Sequence, residues 1–276
     1  MAICDLVWVK VKICGITTLE DAEAAVEAGA WAIGINRWPG SPRYIDGGMA
    51  RAIAMAMKRR VEVAGIFVNP TLDEVSFAAE SEGLTMVQLH GDEGPAFCAE
   101  VRRRTAASII KAFRVRTGAD VKAAWAFRTN YHLFDAYNPE LRGGTGEHFD
   151  WALVRSRRRG LPTLLAGGIT PQNVAEAVEA ALPWGIDVAS GVEISPGRKD
   201  HYAIAQLIER AEAADPRHQR DLARAAEREA KALADSRLDE RPPDRDEIEW
   251  RERRAAAVEA AAPASAEPTA PTAETR

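Results

Sequence analysis

Short apolar runs rich in β-branched residues alternate, along the first 211 residues, with longer stretches whose apolar positions recur at helical spacing. The runs are Val9–Ile13, Trp31–Ile35, Val61–Val68, Thr85–Leu89, Ser108–Phe113, Tyr131–Phe134, Pro162–Leu165 and Gly185–Ala189. The helical stretches are Leu19–Ala28, Met49–Arg59, Leu72–Glu82, Pro95–Arg104, Ala119–Ala126, Phe149–Arg158, Gln172–Ala181 and Tyr202–Ala211. Runs this short, bounded by turn residues, predict strands buried on both faces, and their alternation with helices predicts a parallel sheet. Local start signals agree: Thr71 precedes Leu72 with Glu74 following, and Thr170-Pro171 opens the seventh stretch. Eight strand–helix pairs in about 210 residues suit a closed (β/α)8 TIM barrel better than an open doubly wound sheet. No Gly-x-Gly-x-x-Gly follows the first strand, which argues against a dinucleotide-binding fold.

The pattern stops near residue 212. Residues 212–276 hold 16 acidic and 12 basic side chains, so most of the formal net charge of -5 sits there. The first part of this tail has helix-forming Ala, Arg and Glu but few apolar positions for a core-facing stripe. The last part, rich in Pro, Ala, Thr and Glu, is too poor in apolar groups to offset the entropy of ordering it. The expectation is a barrel domain over 1–211 and an appended tail over 212–276. That tail is expected to be mostly disordered, with transient helix between Gln219 and Leu233 as a candidate for binding a protein partner. Lys+Arg 36 against Asp+Glu 41 leaves no strongly basic surface for nucleic acid or anionic lipid. No run approaches the roughly 20 apolar residues that span a bilayer. The N-terminal segment has an early acidic residue and lysines inside its apolar run, unlike a secretion signal. Three sparse cysteines (Cys4, Cys14, Cys98) form no paired C-x-x-C. A soluble chain in a reduced, cytoplasmic compartment is expected.

In such a barrel, chemistry belongs at the carboxyl ends of the strands. That rule selects Cys14, Asn36 to Arg43, Asn69, His90, Arg114, Asp135, Gly167-Gly168 and Ser190-Gly191. The histidines (His90, His132, His148, His201, His218) show no metal-ligand spacing, so no metal is expected. The glycine turns after strands 7 and 8 lie where barrels commonly hold a phosphate on backbone N–H groups. Cys14 and Asp135, on strands well separated around the ring, would supply a proton acceptor and a proton donor. Each also has a plainer role open to it, as a small buried residue and as a helix cap. Lys12 should share the face of Cys14 and favour its thiolate, while a carboxylate in a partly apolar mouth tends to keep its proton. Opposed shifts of that kind would assign base and acid. Arg43, presented by the stiff Pro42, has a planar fork suited to a carboxylate or phosphate. The run Gly143-Gly144-Thr145-Gly146 is a mobile lid or a flexible loop.

At this point a family resemblance emerges. The segments are Val11-Lys12-Ile13-Cys14-Gly15-Ile16-Thr17, Ser41-Pro42-Arg43, Gly65-Ile66-Phe67-Val68-Asn69, Val87-Gln88-Leu89-His90-Gly91 and Phe134-Asp135-Ala136. They continue with Gly143-Gly144-Thr145-Gly146, Phe149-Asp150-Trp151, Leu165-Ala166-Gly167-Gly168-Ile169 and Asp187-Val188-Ala189-Ser190-Gly191-Val192-Glu193. In this order and spacing the chain resembles the phosphoribosylanthranilate isomerases of tryptophan biosynthesis, over residues 10–210. The resemblance implies an Amadori rearrangement without a cofactor, acting on a small phosphorylated substrate. It implies Asp135 as general acid, Cys14 as general base and Arg43 on the anthranilate carboxylate. It places the phosphate at Gly167, Gly168, Ser190 and Gly191. Lys12 and His90 are expected beside these as supporting residues. Where the family is more apolar and aromatic, this chain reads Ile35-Asn36-Arg37-Trp38, so Arg37 is expected to alter the anthranilate end of the pocket.

Two rival readings are weaker. Indole-glycerol-phosphate synthase chemistry on the same scaffold would call for a lysine acid and glutamates at strand ends. A barrel reduced to a carrier for the charged tail would not need Cys14, Asp135 and Arg43 together.

Overall fold

A computed structural model describes residues 9–135, 151–158, 160–239 and 244–260. Eight parallel strands close on themselves in chain order: β1 (Lys10–Cys14), β2 (Ala32–Asn36), β3 (Glu62–Phe67), β4 (Met86–Leu89), β5 (Ser108–Arg114), β6 (Tyr131–Asp135), β7 (Thr163–Ala166) and β8 (Gly185–Val188). The seam is the pairing of β1 with β8, which sets Lys12 beside Asp187, while Cys14 pairs with Gly34 on β2. The outer layer comprises α1 (Leu19–Glu27), α2 (Gly47–Ala56), α3 (Leu72–Ser81), α4 (Pro95–Arg104), α5 (Gly118–Ala123), α6 (Val174–Ala181) and α7 (His201–Ala214). The start of α3 is the predicted capping box, in which the Glu74 N–H donates to Thr71 Oγ1 and the Thr71 N–H donates to Glu74 Oε2.

Alternation along each strand divides the apolar residues between two cores. Leu133 joins Ala64, Met86, Ile110, Ala112, Leu164 and Ala166 inside the barrel. Trp31, Tyr131 and Trp184 close its amino end, with ring centroids 4.8 to 5.4 Å apart. Phe134, one residue along from Leu133, belongs to the larger core between sheet and helices. A strand with one face in each core has no solvated face, which is why the runs read as continuously apolar.

Several segments depart from the sequence pattern. Of the stretch Phe149–Arg158, residues 149 and 150 lie outside the described residues. Trp151–Ser156 forms a 3-10 helix rather than an α-helix. Its arginines reach over to α6, whose last carbonyls they cap: Arg155 donates to Glu179 O and Ala180 O, and Arg157 donates to Ala181 O. Guanidinium groups are favoured at the negative end of a helix dipole, and this reach pulls the segment tight. The seventh predicted stretch, Gln172–Ala181, becomes α6, which starts only at Val174, after a turn in which Asn173 Oδ1 accepts from the Thr170 N–H at 2.8 Å. A two-stranded hairpin, β9 (Glu193–Ser195) with β10 (Arg198–Lys199), follows β8 and was not anticipated. Gly143–Gly146 lies outside the described residues.

The packing of the barrel runs past residue 211. Ala214 and Asp215 are buried, and Asp215 Oδ2 accepts from the Val9 N–H at 2.6 Å, tying the last barrel helix to the start of β1. The chain divides into two compact units at Leu222/Ala223. The tail is partly helical: α8 spans Pro216–Asp239 and contains the expected Gln219–Leu233 helix, and α9 spans Arg245–Ala260. Ala, Arg, Glu and Lys are strong helix formers, enough to make helix without a buried stripe. Among the described residues no helix is long and apolar enough to cross a membrane.

One buried group makes stability depend on pH. His132, on the helix-facing side of β6, packs edge-on against Phe113, and its Nε2 has no partner among the described residues. Burial pushes its pKa down from 6.5 to about 4, against an opposing backbone hydrogen bond at Phe127. The folded protein keeps this ring neutral while the unfolded chain protonates it below 6.5, so stability falls as pH drops from 6.5 toward 4. Urea midpoints at pH 7 and pH 5 should differ less in His132→Phe than in the wild type. An identical difference in both proteins would assign the loss to other groups.

Candidate active site

The carboxyl ends of the strands surround a cavity of about 220 Å³. Cys14, Asn36, Asp135 and Ala166 are the last residues of their strands and line it, with Gln88 from β4 and Asp187 from β8. The loops add Arg43, His90, Gly167, Gly168, Ser190 and Gly191. The expected catalytic, carboxylate-binding and phosphate-binding residues and His90 therefore face one space, while Asn69 and Arg114, also expected at strand ends, line a neighbouring cavity instead. Lys12 lies one layer below, fully buried, its Nζ donating to Asp187 Oδ1 at 2.7 Å. A larger cavity of about 550 Å³ opens beside this one, sharing His90 and lined by Trp38, Phe113 and Phe127. It holds neither the thiol nor the Asp135 carboxylate.

Two glycine features make the arrangement sterically possible. A Cβ on Gly34 would lie 2.9 Å from Lys12 Nζ and 3.0 Å from Cys14 Sγ, so β2 must be bare where it faces this pair. At Gly191 a Cβ would run into the carbonyl oxygen of Ile169, so the loops after β7 and β8 approach backbone to backbone. Gly167 and Gly168 hold φ of +96° and +65°, a left-handed turn that exposes peptide groups to the cavity. Touching loops with exposed backbone form the kind of cradle that accepts an anion without a bulky side chain.

The electrostatics of the thiol correct one expectation. Lys12 was to lower the Cys14 pKa, yet it is raised: burial acts first and the Asp187 carboxylate second, against Lys12 and Lys199. The ammonium of Lys12 is shared between Asp187 and the thiol, so the thiol sees a pair rather than a free cation. Asp135 Oδ2 lies 3.5 Å from His90 Nε2, and the Gln88 amide bonds His90 Nδ1 at 3.1 Å. With Gln88 donating to Nδ1, the ring proton sits on Nε2 and faces the carboxylate.

Arg43 reaches the cavity already paired. Its Nε and Nη2 donate to Glu193 Oε1 and Oε2 at 2.7 and 2.6 Å, which raises its pKa. Arg37 does not reach the cavity. It turns toward Glu82, 3.0 Å away, and the carbonyl of Ile45, because the otherwise uncompensated carboxylate of Glu82 is buried at the end of α3. The expected effect of Arg37 on the pocket is therefore not seen. Among the described residues no group of three or more His, Cys, Asp or Glu is arranged to hold a metal ion.

Sequence reasoning assigned no role to Gln88, Asp187, Glu193 or Lys199. A signal for one of them existed: Lys12, buried inside a closed barrel, needs a counterion from a neighbouring strand, and Asp187 is the only acid on β8. Glu193 and Lys199 gave no such signal, since they pair with each other in a short hairpin and otherwise with a loop arginine and backbone carbonyls.

A closed ring of eight strands with a thiol, a carboxylate and two glycine turns around one cavity is the layout of a (β/α)8-barrel enzyme. The family described as N-(5'-phosphoribosyl)anthranilate (PRA) isomerase matches residues 11–210. The N-(5'-phosphoribosyl)anthranilate isomerase of Citrifermentans bemidjiense is 49% identical over 202 residues, covering 73% of this chain and 96% of that protein. That of Geobacter metallireducens is 45% identical over 205 residues, covering 74% and 100%. Among solved structures, phosphoribosyl anthranilate isomerase from Thermotoga maritima superposes with a TM-score of 0.68 at 39% identity, covering 74% of this chain and 99% of that one. A phosphoribosyl anthranilate isomerase in complex with reduced 1-(o-carboxyphenylamino)-1-deoxyribulose 5-phosphate matches with a TM-score of 0.65 at 37% identity, covering 74% and 99%. The chain belongs to the N-(5'-phosphoribosyl)anthranilate isomerase family.

The bare strand at Gly34 is directly testable. Gly34→Ala should leave the far-UV circular dichroism unchanged but displace the thiol, and a misplacement of about 1 Å at a reacting group costs on the order of 10²-fold in turnover. A fully active Gly34→Ala would show that the Lys12–Cys14 arrangement tolerates a shift.

Proposed function

We propose that this chain converts N-(5-phosphoribosyl)anthranilate to 1-(2-carboxyphenylamino)-1-deoxyribulose 5-phosphate in L-tryptophan biosynthesis, with Asp135 as general acid and Cys14 as general base. The observation that carries the reading is the pairing across one cavity: a carboxylate on β6 faces a thiol on β1, between the glycine turns and Arg43. The phosphate takes the backbone of Gly167, Gly168, Ser190 and Gly191, and the anthranilate carboxylate takes Arg43. Asp135 protonates the furanose ring oxygen, the C1–O bond breaks, and the nitrogen lone pair forms an iminium at C1. Cys14 then removes the C2 proton. The C2–H electrons become a C1=C2 bond and the nitrogen is neutral again. The enolamine collapses to the ketone as its hydroxyl proton leaves and C1 gains one. The rearrangement is redox-neutral overall and needs no cofactor.

A half-buried thiol with a raised pKa holds its proton at rest, which makes its thiolate scarce but strongly basic once formed. The iminium supplies what is missing. Its positive charge arises only after Asp135 has acted, and together with Lys12 and Lys199 it drives the thiol proton to water at the cavity mouth, leaving the thiolate that takes the C2 proton. His90 Nε2, 3.5 Å from Asp135 Oδ2, orients the carboxyl group toward the cavity. The reading puts the enzyme in the cytoplasm, where its sparse cysteines stay reduced. The tail is a candidate docking segment for a protein partner rather than a contributor to the chemistry.

The test uses freshly generated phosphoribosylanthranilate, whose anthranilate fluorescence is lost on rearrangement. Wild type should consume it rapidly, while Asp135→Asn and Cys14→Ser should each be slower by about 10²–10⁴-fold or more. Wild-type rates in both variants would refute the assignment, and no loss of signal with wild type would refute the reaction.

A further inference from the structure

The β9–β10 hairpin puts a buried lysine at the mouth, where the chemistry assigned above uses its charge but not its contacts. The Lys199 ammonium is wholly enclosed and donates to Cys14 O at 2.6 Å, to Ala189 O at 3.0 Å and to Glu193 Oε1 at 2.9 Å. Its partners belong to the end of β1, the loop after β8 and the hairpin itself. Burial lowers the pKa of this ammonium, and the Glu193 carboxylate is what compensates its charge. Glu193 is in turn shared. Both its oxygens engage one edge of the Arg43 guanidinium, and despite burial its pKa is lowered by Arg43 and Lys199. The Arg43 stem lies flat on Gly15, where a Cβ would clash with its Cδ. A guanidinium gripped along Nε and Nη2 cannot rotate about its own axis, and its remaining edge keeps a fixed direction.

From this chain of contacts we infer that Glu193 and Lys199 are positioning residues for Arg43, and that they set specificity for a substrate whose aryl group bears a carboxylate. Lys199 anchors Glu193 to the backbone of the residue that carries the thiol, and Glu193 aims Arg43. The distance between the carboxylate-holding fork and the proton-abstracting group is thereby fixed through three side chains. The inference rests on the reaction proposed above and deepens it.

The experiment compares two substrates, phosphoribosylanthranilate and phosphoribosylaniline, which lacks the carboxylate, in the wild type, Glu193→Gln and Lys199→Met. Glu193→Gln is nearly isosteric and keeps the fold testable should Lys199→Met fail to fold. With phosphoribosylanthranilate, KM should rise about tenfold or more in Glu193→Gln, with a smaller change in kcat, the mark of lost binding rather than lost chemistry. With phosphoribosylaniline the KM shift should shrink to about twofold or less. Inhibition by ribose 5-phosphate, which lacks the aryl group, should stay within about twofold, whereas a general loosening of the mouth would weaken it too. A lower KM in Glu193→Gln would make Glu193 a competitor for Arg43 and overturn the proposal. So would equal shifts for both substrates. If the wild type turns over neither, the reaction itself is refuted and this proposal with it. Turnover with an unshifted KM in Glu193→Gln refutes the positioning role alone.

Discussion

A lysine ammonium and an aspartate carboxylate 2.7 Å apart, both withdrawn from water, join the first strand of this barrel to the last. The apolar pairs of the interior tolerate exchange of one hydrophobe for another, but Lys12 and Asp187 must meet or leave a charge uncompensated, at about 3–5 kcal/mol. Their meeting fixes the register of β1 against β8. It also places Cys14, two residues beyond Lys12, and the Ala189–Gly191 loop, just beyond Asp187, on the same rim. The floor of the active site and the seam of the barrel are one contact.

The same pair governs the reactivity above it. Asp187 holds the Lys12 charge and opposes ionisation of the thiol, so a cation two residues away does not make Cys14 a resting thiolate. A base of this kind is quiet until positive charge develops in the cavity, which suits a reaction whose second proton transfer must wait for the first. Around it, Gly34 and the Ile169–Gly191 contact show the site built as much by missing side chains as by present ones.

Much of this was legible in the sequence because a parallel barrel converts linear order into geometry. Strand positions followed from apolar runs, and the residue at the end of each run had to face the mouth; Cys14, His90, Asp135 and the glycine turns were found that way. What was not legible depended on partners distant in sequence. The β9–β10 strands are three and two residues long, too short for a periodic pattern, so Lys199 was invisible as a site residue. Arg37 looked like a pocket residue until Glu82, 45 positions away, claimed it. The helix expected at Phe149–Arg158 tightened to a 3-10 helix because its arginines cap a neighbouring helix, a tertiary demand that no local propensity carries. The tail's helices follow from the propensity of Ala, Arg, Glu and Lys alone, without an apolar stripe to mark them.

The claim on which the rest turns is that burial beside the Lys12–Asp187 pair keeps Cys14 protonated at rest. It can be measured by following carbamidomethylation of the Cys14 peptide with iodoacetamide, by mass spectrometry, as a function of pH. The account predicts a rate midpoint above the 9.0 of an unperturbed thiol. A midpoint well below that value would mean a resting thiolate stabilised by Lys12, and would contradict the electrostatics described here.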